Sequence, residues 1–129
     1  MFFSLTVASH LTLSGKSTSV LRGVLTLQKL LERSQTGDRP VVVPGGGINP
    51  ESISAVLDYL LPFGLKEIHM SGGRWAESQM AHRPKGMGMG ASVENEWDIW
   101  LTDGNNVRQV VETVEETMLV LKTARAEDR

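Results

Sequence analysis

The sequence predicts an α/β protein built from strand–turn–helix units laid on a parallel sheet. Three short apolar runs each end in a glycine-containing turn, and two of these turns lead into a segment with helical periodicity. The turns at Gly15, Gly45 and Gly72 are spaced by 30 and 27 residues. An eight-fold β/α barrel of about 250 residues allots roughly 31 to each unit, so the spacing suits that architecture. A doubly wound open sheet satisfies the same arithmetic, and periodicity leaves both open.

The first unit opens with Leu11-Thr12-Leu13, closed by Ser14-Gly15, after which Ser17, Thr18 and Ser19 offer hydroxyl caps to a helix start. Val20, Val24, Leu27 and Leu31 recur at spacings of four and three, the stripe of an amphipathic helix ended by Gly37-Asp38-Arg39-Pro40. The second run, Val41-Val42-Val43, is β-branched without polar alternation, as a strand covered on both faces requires. It ends at Pro44-Gly45-Gly46-Gly47-Ile48. Asn49 then suits an amino cap, Pro50 the first helical position and Glu51 the first turn. Ile53, Val56, Leu57 and Leu60 form that helix's apolar face, and Pro62-Phe63-Gly64 stops it.

The third run, Glu67-Ile68-His69-Met70, leads into Ser71-Gly72-Gly73-Arg74. Residues 75–106 are polar and glycine-rich around Gly86-Met87-Gly88-Met89-Gly90, and are expected to form a long loop. A final helix is expected from near Asn105-Asn106, burying Val107, Val110, Val111, Val114, Met118 and Leu121 and setting Arg108 one turn from Glu112 outside. Residues 1–10 read as an atypical amino-terminal segment and 123–129 as a frayed tail.

Among its 129 residues the chain has 13 basic and 15 acidic side chains, which gives no broad positive field to attract nucleic acid or an anionic membrane. The absence of cysteine rules out disulfides, thiolate metal sites and cysteine nucleophiles in this sequence. The apolar start at Met1-Phe2-Phe3 lacks a basic region and is broken by Ser4, Thr6 and Ser9, unlike a signal peptide. With no run of about 20 apolar residues, the expectation is a soluble, cytoplasmic protein.

Barrel sites form where the loops at the carboxyl ends of the strands converge. Those ends carry Ser14, Gly45, Gly46, Gly47, His69, Ser71 and Arg74. Glycine backbone before a helix start, with a guanidinium nearby, suits a small phosphate or carboxylate. The same glycines would serve equally well as a tight turn alone. His69 acts as base, donor or soft-metal ligand if it faces the mouth, and as a packed histidine if it faces a helix. Met87 and Met89, with His82 nearby, offer thioether and imidazole donors suited to Cu(I), although methionine more often fills gaps. Trp97 and Trp100 read as packing. Gly-Lys-Ser/Thr, His-Glu-x-x-His and Gly-x-Ser-x-Gly motifs are all missing, so no reaction is assigned.

Leu13-Ser14-Gly15, Val43-Pro44-Gly45-Gly46-Gly47-Ile48, Glu67-Ile68-His69-Met70-Ser71 and Met87-Gly88-Met89-Gly90 occur in the order and spacing of the CutC copper homeostasis family, which the chain resembles over about residues 11–120. Thr102-Asp103-Gly104-Asn105-Asn106-Val107 is similar to that family's lead into its last helix. The resemblance implies a partial (β/α)8 barrel over 11–122, about strands six to eight with their helices. It also implies copper handling or tolerance, for which the donor chemistry of His69, Met87 and Met89 makes them the candidate copper ligands. Strands one to five, and the family cysteines implicated in copper binding, have no counterpart. Two other readings stay open: a barrel enzyme for a small phosphorylated or carboxylated substrate, and an inactive truncated fragment. Unpaired sheet edges also predict self-association.

Overall fold

The computed structural model describes residues 9–12, 19–35 and 41–128, the first of these as backbone. In chain order they form β1 (Ser9–Thr12), α1 (Val24–Ser34), β2 (Val42–Gly45), α2 (Ile53–Leu60) with a 3₁₀ turn at Leu61–Phe63, β3 (Gly73–Ala76), β4 (Ile99–Thr102) and α3 (Gly104–Glu127). Among the described residues the architecture is mixed α/β, with three helices and two small sheets. No helix among the described residues is long and apolar enough to cross a membrane.

β1 and β2 pair in parallel, with Ser9 opposite Val42 and Thr12 opposite Gly45. The first strand therefore begins inside the segment expected to precede it, while Leu13, Ser14, Gly15, Ser17 and Thr18 lie outside the described residues. The third apolar run touches this sheet at one parallel bridge between Gly45 and His69 instead of forming a full strand. Pro44 lacks an N–H, but its carbonyl accepts from His69 N–H at 2.9 Å and anchors that single contact.

The core lies where α1 and α2 pack beside β2. Leu27, Leu31, Ile53, Val56 and Leu60 are almost wholly buried, joined by Val20, Val42, Ile48, Leu57 and Leu65. These are the faces that the three- and four-residue spacings mark. The helix starts differ. At α2, Asn49 Oδ1 accepts from the N–H groups of Glu51 and Ser52, both at 2.9 Å, and Ile53 N–H donates to Asn49 C=O at 3.0 Å, the expected cap. α1 instead opens after Gly23 with no side-chain cap bond, so the hydroxyl expected from Ser19 does not cap that start. At its far end Gln35 Nε2 reaches the carbonyls of Leu31, Phe63 and Gly64 at 3.3, 3.4 and 3.4 Å, tying α1 to the 3₁₀ turn.

Two expectations for the carboxyl-terminal third need correction. The stretch from 75 to 106 is not loop throughout, because β3 and β4 pair antiparallel with Trp75 opposite Trp100. Their rings meet edge to face at 5.2 Å and 73°. Ile99-Trp100-Leu101-Thr102 has the aromatic and branched composition of a strand, and Trp75 supplies its cross-strand partner. α3 spans Gly104–Glu127. Only Val110 of its apolar stripe is buried, while Val111, Met118 and Leu121 are 46%, 38% and 37% exposed.

Candidate functional site

The turn after β2 is locked by its own polar groups. Gly46 and Gly47 adopt φ of 99° and 73°, the left-handed region that glycine enters without strain. Gly46 C=O accepts from Val20 N–H at 2.8 Å, and Gly47 C=O accepts from Ser52 Oγ at 2.9 Å. Asn49 N–H donates to Ser52 Oγ at 3.0 Å. The chain thereby reverses into α2 and leaves the glycine backbone on an open side, where a Cβ at Gly46 would meet nothing within 4 Å.

Facing this turn is the segment from His69 to Gly73. Between them lies a cleft of about 480 Å³, bounded on one side by Gly46, Gly47 and Glu51, on the other by His69, Met70 and Ser71, and at its rim by Trp100 and Asn106. Asn106 Nδ2 donates to Gly73 C=O at 3.2 Å and so holds the start of α3 against the wall. Gly45 makes room for the imidazole, since a Cβ there would stand 3.3 Å from His69 Cδ2. Ile68 and Met70 pack against the core, whereas His69, one position from each, is exposed at the cleft.

The cleft thus brings together Gly46, Gly47, His69 and Ser71, with Gly45 directly behind His69. Ser14 lies outside the described residues. Arg74 is not in the lining. Its Nε donates to Asp103 Oδ2 at 2.9 Å instead. The reason is local: β3–β4 pairing sets Arg74 beside the end of β4, and Asp103 follows there as the cap of α3, its Oδ1 accepting from Asn105 N–H at 2.8 Å. The Asn105 backbone bond, chiefly, holds the Asp103 carboxyl below the usual aspartate range, with the Asn106 N–H and Arg74 adding to it against some desolvation. Glu51 and Met70 are lining residues that sequence reasoning missed. Glu51 was read only as a helix-start acid and Met70 only as part of a strand.

Met87 and Met89 stand elsewhere, 71% and 93% exposed and absent from the cleft lining. The Glu96 carboxylate accepts from Gly86 N–H at 3.1 and 2.8 Å and from Gly88 N–H at 3.4 Å. Gly90 N–H donates to Glu96 C=O at 2.6 Å. A Cβ at Gly88 or Gly90 would overlap the backbone of Glu96 or Asn95. Gly88 and Gly90 are therefore required by close backbone approach, and Met87 and Met89 project outward. Trp97 packs with its Nε1 buried, while Trp100 is 47% exposed at the cleft rim and not core. Among the described residues no three His, Cys, Asp or Glu side chains group as a metal site.

A protein of Citrobacter koseri named as a family protein CutC is 30% identical over 105 residues of this chain. The chain is similar to CutC. The match covers 81% of this chain and 39% of the relative, so the chain spans about two fifths of that CutC protein's length. No family model matches the sequence.

Proposed function

We propose that this chain is a CutC-type copper homeostasis protein, acting in cytoplasmic copper handling, with the cleft as its Cu(I)-facing end and the described units as part of a β/α barrel. The likeness to the Citrobacter koseri protein supports the family. The composition of the cleft supports the cation. Among the described residues its lining includes His69, Met70 and Glu51 and no lysine or arginine. Imidazole and thioether are soft donors suited to Cu(I), and a carboxylate at the rim favours a positive ligand. Competition against a Cu(I) chelator tests it. Retention by the wild type should fall about tenfold or more in His69→Ala and fall also in Met70→Leu. No retention by the wild type would overturn the copper reading. Retention that survives both changes but is lost with Met87→Leu and Met89→Leu together would move the site to the exposed loop.

A second reading rests on the open glycine backbone, which suits a small phosphorylated or carboxylated ligand of a barrel enzyme. Arg74 is committed to Asp103 and Glu51 opposes an anion, so this reading ranks below the first. Inorganic phosphate that shifts the backbone resonances of Gly46 and Gly47, where Cu(I) does not, would reverse that order.

A further inference from the structure

Trp100 is held in one place and left open. The pairing of β3 with β4 sets Gly73, Trp75, Trp100 and Thr102 on one face of their sheet. On that face the rings of Trp75 and Trp100 meet edge to face at 5.2 Å, a contact that occupies at most one flat side of either ring. Gly73 leaves the room Trp100 takes, since a Cβ there would stand 2.3 Å from Trp100 Nε1 and 2.5 Å from its Cε2. The start of β3 is fixed in turn from α3: Asn106 Nδ2 donates to Gly73 C=O at 3.2 Å, and Asp103 N–H donates to Gly72 C=O at 2.8 Å. Yet the ring is 47% exposed and lines the same cleft as His69, Met70 and Glu51. A side chain ordered by its neighbours but left uncovered at a cleft is what a ligand-contacting wall requires.

We propose that the Trp100 indole is the aromatic wall of the cation site, its face meeting the bound ion, and that it sets the preference of the cleft for a soft monovalent cation over divalent ones. The inference rests on the copper reading above and adds to it a residue and a selectivity. Imidazole and carboxylate also suit Zn(II), so His69 and Glu51 alone do not select the monovalent ion. An indole face attracts a cation through its quadrupole, most strongly where water is excluded. It offers no lone pair, so it helps only an ion that has given up water on that side. Cu(I) is soft and binds with few donors, which leaves part of its surface free to meet a ring. Zn(II) completes its coordination with water or another donor, and Mg(II) and Ca(II) keep oxygen ligands, so the ring adds nothing to their binding. Among the described residues no lysine or arginine of the lining competes for the indole.

Ag(I), a soft monovalent ion free of redox chemistry, is the probe, with Zn(II) as the contrast. Both are titrated into the full chain by calorimetry and by NMR of the tryptophan side-chain N–H groups. The Trp100 Nε1 resonance should shift with Ag(I) and not with Zn(II), while that of Trp97, which lies outside the cleft lining, should stay in place with both. Trp100→Leu should weaken Ag(I) binding by about tenfold and leave any Zn(II) binding unchanged. Trp100→Phe keeps a weaker ring face, so its Ag(I) affinity should fall between the two. Should Trp100→Leu unfold, the wild-type spectra and Trp100→Phe decide. A wild type that binds Ag(I) with no shift at Trp100, or with the affinity of Trp100→Leu, would overturn the wall and leave the copper reading standing. Equal losses of Ag(I) and Zn(II) in Trp100→Leu would overturn the selectivity. A wild type that binds no Ag(I) would overturn both the wall and the copper reading.

Discussion

Helices α2 and α3 start from the same kind of sequence and end in opposite environments. α2 presents Ile53, Val56, Leu57 and Leu60 at three- and four-residue spacing, and the core takes them all to 3% exposure or less. α3 repeats valine, methionine and leucine at the same spacings over 24 residues, and the chain buries only Val110. Periodicity therefore names the apolar face of a helix without saying how much partner surface that face will find. α2 lies between α1 and α3, whereas α3 joins the core through Val110 and Val114 and runs on past it.

The sharpest way to break that contrast is a pair of identical truncations. Leu60→Ala should cost about 2–5 kcal/mol, since it opens a cavity in a fully enclosed site. Leu119→Ala should change monomer stability by no more than about 0.5 kcal/mol. Chemical denaturation of both at low concentration gives the two numbers, and similar values would mean that α3 is covered in solution. Next in size, Gly88→Ala should cost about 1–3 kcal/mol, because the added methyl overlaps the Glu96 backbone. Gly46→Ala meets open space, so only its positive φ opposes it, at about 1 kcal/mol. Thermal unfolding should rank Gly88→Ala well below Gly46→Ala. The reverse order would show that the Glu96 contact is not held.

The smallest expected effect is a pH dependence at the junction of β4 and α3. The folded-state value of Asp103 is depressed, so its contribution is present above the unfolded value of about 4. It is lost as pH falls through the lower folded value. Helical signal from α3 should loosen in that acid window, and Asp103→Ala should remove the transition together with the Arg74 pairing. An unchanged acid profile in the variant would place the titration elsewhere.

What could be read in advance follows the range of the interaction responsible. The Asn49 cap, the α2 face and the turn at Gly46 and Gly47 depend on residues a few positions apart, and sequence spacing carries them. The contact of Trp75 with Trp100 and the pairing of Arg74 with Asp103 each cross more than twenty positions, and no local pattern announces them. Met70 looked like a strand residue and Glu51 like a helix-start acid. Both line the cleft, because the turn after β2 folds back to face the segment after His69.

That the cleft, and not the methionine loop, is the ligand-facing end is tested most directly by heteronuclear NMR during titration with Cu(I). The account predicts shifts centred on Gly46, Gly47, His69, Met70 and Ser71, with Met87 and Met89 unmoved. Shifts confined to residues 86–96, or none anywhere, would contradict it.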